Sequence, residues 1–148
     1  MGLPHLYREP NIMSTDTQTT ERDPAALFAV AEEFRAAQLV GDRTRLRTVL
    51  SEDVTWVLAG DNTVSGEARG VDEVFARFDQ LAHYGVHIGI EHITIGRDGA
   101  ALIMHNTGEH DGRLLDEHLV STMTVADGQI VRIDTYLSDL DMMNAYFI

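Results

Sequence analysis

Between residues 101 and 140, apolar and polar positions fall into three long strand-like runs, separated by Asp111-Gly112 and Asp127-Gly128. Asp-Gly between apolar runs predicts a two-residue hairpin, because both positions tolerate positive φ. The turns also set the pairing. With His110 opposite Arg113, His105 meets His118 and Ile103 meets Val120. With Val125 opposite Ile130, Val120 meets Thr135 and His118 meets Leu137. Side chains alternate across a sheet, so this register gathers Ile103, His105, Thr107, Asp116, His118, Val120, Thr122, Ile133 and Thr135 on one face. That face is apolar with a few polar groups set in it, as in a ligand pocket. A one-residue slip in either turn puts a different set there.

Upstream the period changes. Asp23-Pro24 is a helix start, and Leu27, Ala31, Phe34 and Ala37 then fall on one face as far as about residue 40, where Gly41 stops the helix. Asp42 caps a short second helix that turns Leu46, Val49 and Leu50 inward and leaves Arg43, Arg45 and Arg47 in solvent. Residues 54–59 read as a short strand with Val54, Trp56 and Leu58 on one face, followed by a turn-rich connection. A third helix follows Gly70, with Val71, Val74, Phe75, Phe78, Leu81 and Ala82 at helical spacing, and Gly85 ends it. Residues 86–95 form a strand whose alternation breaks, so a bulge is expected near Glu91-His92. Residues 141–148 close the chain with Met142, Met143, Tyr146 and Phe147 packed inward. Helices, then mostly antiparallel strands, make an α+β domain over residues 23–148. Residues 1–22 lack periodicity and read as a flexible tail, with Met13 an alternative start.

The 148 residues contain 44% hydrophobic positions, enough for the core of one domain. There is no cysteine, which removes disulfide and thiolate chemistry and leads us to expect a cytoplasmic protein. No apolar run is long enough to span a membrane. The formal net charge of −13 disfavours nucleic-acid and anionic-membrane partners.

The segments DVTWVLAGDNTVSGEARGVDEVFARF and DGQIVRIDTYLSDLDMMNAYF resemble the SnoaL-like polyketide cyclase branch of the nuclear-transport-factor-2 (NTF2) and ketosteroid-isomerase superfamily. The resemblance implies a cone-shaped NTF2-like (cystatin-like) fold. Three N-terminal helices would pack on a curved mixed or antiparallel sheet and enclose a cavity, with dimers formed through the outer sheet face. Members include cyclases, isomerases, epoxide hydrolases, dehydratases and non-catalytic modules, so the fold alone does not give the function. Leu58 and Val120 stand where the isomerase's two aspartates align, and no Asp-Arg-Asp set of the epoxide-hydrolase kind is present. Aldol-type cyclases of the branch use a cavity acid/base and no cofactor.

His105 and His118 are the leading catalytic candidates, cross-strand neighbours with Cβ atoms roughly 5 Å apart. Two imidazoles against an apolar wall should not both be charged, which leaves one as a general base near neutrality. Asp139 is a further acid/base candidate at the cavity mouth. His92, brought over by the bulge, would make a metal set with Asp116 and the two histidines, but the spacing matches no signature and no metal or other cofactor is assigned. Trp56, Leu58, His92, Ile103, Thr107, Asp116, Val120, Thr122, Ile133 and Thr135 are the expected ligand-binding residues. Leu119, Met123 and Val125, on the other face of their strand, argue for a covered outer surface and a homodimer. The function expected is binding of a hydrophobic polyketide- or polycyclic-type molecule, with cyclisation or isomerisation by acid/base chemistry. The alternative is a non-catalytic ligand-binding or protein-interaction module.

Overall fold

A computed structural model describes residues 23–148; the expected tail and Met13 lie outside the described residues. Helix α1 (Pro24–Val40) starts as expected, the Asp23 carboxylate accepting from the Ala25 N–H at 3.2 Å with Pro24 in the first turn. Gly41 ends it at φ 70°, a left-handed conformation that glycine adopts without a Cβ clash. Leu27, Ala31, Phe34 and Ala37 are its buried stripe. Helix α2 (Arg43–Val49) is capped by Asp42. Its arginines stay at the surface, paired with Asp79, Glu33 and Asp72, where such pairs add little stability.

Strand β1 (Leu50–Leu58) follows α2 directly and starts earlier than the alternation in 54–59 indicates. The connection expected to be all turn contains a further strand, β2 (Gly66–Arg69), of which only Ala68 is buried. Nothing in Gly-Glu-Ala-Arg favours a strand; pairing with β1 imposes it. Helix α3 (Val71–His83), strands β3 (Val86–Ile95), β4 (Gly99–His110), β5 (Arg113–Ala126) and β6 (Gln129–Leu137), and a closing helix α4 (Leu140–Tyr146) complete the chain. The sheet order is β2-β1-β6-β5-β4-β3, with β1 and β6 parallel and every other neighbour antiparallel. The domain is therefore α+β, with helices on a six-stranded mixed sheet that does not close.

Both hairpin turns form as predicted, with Asp111, Gly112, Asp127 and Gly128 all at positive φ. The β4–β5 register is the expected one, His105 opposite His118 and Ile103 opposite Val120. The β3 bulge also falls where the alternation broke, between Ile90 and His92. The β5–β6 register is not as expected. Val125 does face Ile130, but Thr124 then faces Arg132, so Val131 is an extra residue. Beyond that bulge Thr135 lies opposite Ser121, and Val120 meets Tyr136. A bulge reverses the parity of one strand against the next. Ile133 and Thr135 thus join the face turned toward the helices, while Ile103, His105, Thr107, Asp116, His118, Val120 and Thr122 occupy the opposite face. Leu119, Met123 and Val125, expected outside, are buried on the helix side.

Candidate functional site

A cavity lies between the helices and the inner face of the sheet. Phe34 and Gln38 of α1 and Phe78 and Leu81 of α3 face it from one side. Trp56 and Leu58 of β1, Ile88 and Ile90 of β3, and Leu102, Met104 and Asn106 of β4 face it from the sheet. Leu115, Leu119, Ser121 and Met123 of β5, Ile133 and Thr135 of β6, and Met143 and Phe147 complete the wall. Its free volume is about 50 Å³. That space suits a few water molecules, whereas pockets for drug-sized ligands are roughly 300–1,000 Å³. A larger guest must displace side chains, and Met104, Met123 and Met143 are the kind that repack with least penalty.

Among the described residues, none that lines the wall is titratable. Its polar groups are Gln38, Asn106, Ser121 and Thr135, with the Trp56 indole. The Trp56 Nε1–H donates to Thr135 Oγ1 at 2.9 Å, and Thr135 Oγ1 lies 2.8 Å from Ser121 Oγ. Two hydroxyls bring two hydrogens, and their mutual bond uses one. Whichever hydroxyl donates to the other, one O–H is left with no protein acceptor among the described residues. The indole is held from behind by Arg77 of α3, which is buried. Its guanidinium donates to the Trp56 and Gly66 carbonyls at 3.1 and 3.0 Å and lies 4.8 Å over the indole ring. Burial lowers the Arg77 pKa from its usual value, and the charge of Glu73 works against that shift.

One carboxyl belongs to the same stretch of sheet. Glu117 of β5 is fully buried, between Leu115 and Leu119 and opposite Asn106, all three of which line the cavity. Its Oε2 accepts from the Ser138 N–H at 2.5 Å, the Asp139 N–H at 3.0 Å and the Ser138 hydroxyl at 3.1 Å. Its Oε1 has no protein partner among the described residues.

Of the residues singled out from the sequence, Trp56, Leu58, Ile133 and Thr135 line the cavity. His105 and His118 are cross-strand neighbours as expected, stacked with centroids 4.2 Å apart and planes 12° from parallel, but on the outer face. Asp116 is beside them, its Oδ1 2.5 Å from His105 Nε2, and that bond lowers the carboxyl's pKa below the usual value. Ile103, Thr107, Val120 and Thr122 share that face. His92 is exposed on β3 opposite Ile103. Asp139 is exposed and caps α4, accepting from the Met142 N–H at 3.0 Å. Arg77, Asn106, Glu117 and Ser121 were not anticipated. The signal for Arg77 was available, since it falls at i+3 from Val74 and i−4 from Leu81 on the apolar stripe of α3.

Helices over one face of a twisted mixed sheet, with an apolar pocket between the layers, define a cystatin-like, NTF2-like α+β domain. The chain belongs to the SnoaL-like domain family, whose model matches residues 31–133. An uncharacterised protein of Mycobacterium tuberculosis H37Rv is 28% identical over 121 residues, 79% of this chain and 92% of the relative. An NTF2-like protein of Burkholderia xenovorans LB400 superposes with a TM-score of 0.73 at 22% identity, over 84% of this chain and 98% of that one. A putative SnoaL-like polyketide cyclase of Jannaschia sp. CCS1 gives a TM-score of 0.65 at 18% identity, over 83% and 92% of the two chains. No helix among the described residues is long and apolar enough to cross a membrane.

Proposed function

We propose that this chain binds an apolar, ring-bearing small molecule in the cavity and orients it through a single oxygen function at Ser121 and Thr135. The supporting observation is the spare hydroxyl hydrogen in a wall that is otherwise almost wholly apolar. Such a wall selects for hydrophobic surface, and the hydroxyl donor at Ser121 and Thr135 selects the end at which a carbonyl or hydroxyl sits. Polycyclic and polyketide-type molecules have this character, in keeping with the cyclase similarity.

Trp56 is the only tryptophan and stands in the wall, so its fluorescence reports entry. The test is titration with a tricyclic aromatic ketone and its parent hydrocarbon. The ketone should bind more tightly by about fivefold, the worth of one hydrogen bond of about 1 kcal/mol. The Ser121→Ala/Thr135→Val double variant should lose that preference while still binding the hydrocarbon. No change in Trp56 emission with either compound would sink the reading.

Turnover is the second reading, and Glu117 is the observation that favours it. The paired histidines and Asp139 do not border the cavity, whereas Glu117 is buried between Leu115 and Leu119 of its wall, with Oε1 lacking a protein partner among the described residues. If the ligand is converted, Glu117→Gln should stop conversion and leave the Trp56 response to binding in place.

We also propose self-association through the outer sheet face, on the strength of the family resemblance. The apolar argument for it is weaker than the sequence indicated. Tyr136 is exposed there and Ile103 and Val120 are half-buried, while Leu119, Met123 and Val125 belong to the core.

A further inference from the structure

The outer face of the sheet carries a second cluster that has no part in the cavity. His105 of β4 and Asp116 and His118 of β5 each present a ligand atom, and these atoms lie within 4.8 Å of one another. We propose that this cluster is a surface site for a divalent first-row transition ion, bound by two imidazole nitrogens and one carboxylate oxygen. Tetrahedral zinc, with bonds of about 2.0–2.1 Å, needs ligand atoms about 3.4 Å apart. Reaching that spacing takes side-chain rotation, which opens the 2.5 Å contact of His105 Nε2 with Asp116 Oδ1 and adjusts the remaining distances, while the two strands fix the backbone positions. Asp116 and His118 are exposed and His105 is partly exposed, so those rotations meet little resistance and an ion reaches the site from solvent.

Two further features favour an ion over an incidental surface contact. Glu91, the bulge residue of β3, places Oε2 3.9 Å from His105 Nδ1. When His105 Nε2 turns from Asp116 to a metal, Nδ1 carries the proton and faces this carboxylate. At 3.9 Å it is beyond hydrogen-bond distance; drawn closer by the same rotation, it would be the outer partner that orients a metal-bound histidine and raises its basicity. The second feature is the face-to-face contact of the two imidazoles. Their ring nitrogens and the Asp116 carboxylate oxygen lie within 4.8 Å of one another, so one ion can reach all three. Two nitrogens and one carboxylate suit zinc-like ions rather than calcium or magnesium, which prefer all-oxygen sets. The chain's net charge of −13 also raises the local concentration of cations.

The test uses the full chain without an affinity tag, freed of metal by chelator and dialysed, then titrated with zinc chloride alone by calorimetry. Cobalt chloride gives a parallel visible-absorption readout of tetrahedral nitrogen and oxygen ligation. The native chain should take up one zinc per chain. Uptake should be lost in His118→Ala and in His105→Ala, with Trp56 emission confirming that each variant is folded. Glu91→Gln should still bind, about tenfold more weakly, as expected for a partner outside the coordination sphere. No uptake by the native chain overturns the proposal. So does uptake that survives the His105→Ala/His118→Ala double variant, which would place the ion elsewhere, for example at the contact of His83 with His110.

Discussion

Glu117 shows how much one buried side chain can hold. Its carboxyl collects two backbone N–H groups and a hydroxyl at the entry to α4. Glu117→Ala removes the acceptor of all three and opens a void between Leu115 and Leu119, and should cost about 3 kcal/mol in urea denaturation. Glu117→Gln keeps the shape and one acceptor oxygen, so its loss should be well under half of that. A loss in Ala no larger than in Gln would remove Glu117 as the anchor of α4. Asp116 is the opposite kind of residue, exposed and paired with a histidine. Its carboxyl pKa is lowered by the His105 bond, so that bond's contribution is present above the unfolded-state value and is lost as pH falls through the folded one. His105→Asn should move the Asp116 titration, followed by carboxyl NMR, upward toward the ordinary value. The sequence made the His105–His118 pair legible because Asp-Gly turns fix a register locally. It did not reveal which face the pair lies on, because that depends on where the neighbouring strand bulges. The clue was in β5 itself, where Leu115, Leu119, Met123 and Val125 share one parity and are more apolar than Asp116, His118, Thr122 and Thr124 on the other. Glu117, the single acid among those apolar positions, marked the inside as a special place.

At the scale of elements, the caps and hairpins were legible because their chemistry is local: Asp23, Asp42 and Gly41 act on the residues beside them. Strand β2 and the Val131 bulge were not, since both are made by partners far along the chain. Strand β4 shows a different long-range constraint. A Cβ on Gly99 would stand 1.8 Å from the Met123 carbonyl oxygen of β5, so the pairing at this end of the hairpin requires glycine. Asp139 illustrates how parity and local chemistry compete. Its position at the end of β6 made it a candidate acid, yet its carboxylate serves the first turn of α4. Asp139→Ala should therefore cost about 1 kcal/mol of stability, the usual worth of an N-cap. The Trp56 response to a bound ligand should be unchanged. A loss of ligand affinity without loss of stability would return Asp139 to the site.

For the molecule as a whole, charge and self-association oppose each other. Each chain carries a formal charge of −13, and that total includes Asp116 and Asp134 on the outer face that would meet a second copy. The Arg132 guanidinium pairs with Asp134 of its own chain at 2.8 Å, so that carboxylate adds little to the repulsion. Repulsion between two such surfaces acts over about 30 Å at 0.01 M salt and about 10 Å at 0.1 M. If copies associate through apolar contact of Tyr136, Val120 and Ile103, salt should strengthen the dimer by removing repulsion and leave the apolar term largely untouched. Sedimentation equilibrium across that range should show the dimer fraction rising with sodium chloride. Tyr136→Glu should shift the equilibrium to monomer at every concentration of salt. A dimer that weakens with salt would instead be held by ion pairs between the copies, and the account by apolar contact would fail. A monomer throughout would leave the outer face open to solvent, and the inner cavity would then be a property of the single chain.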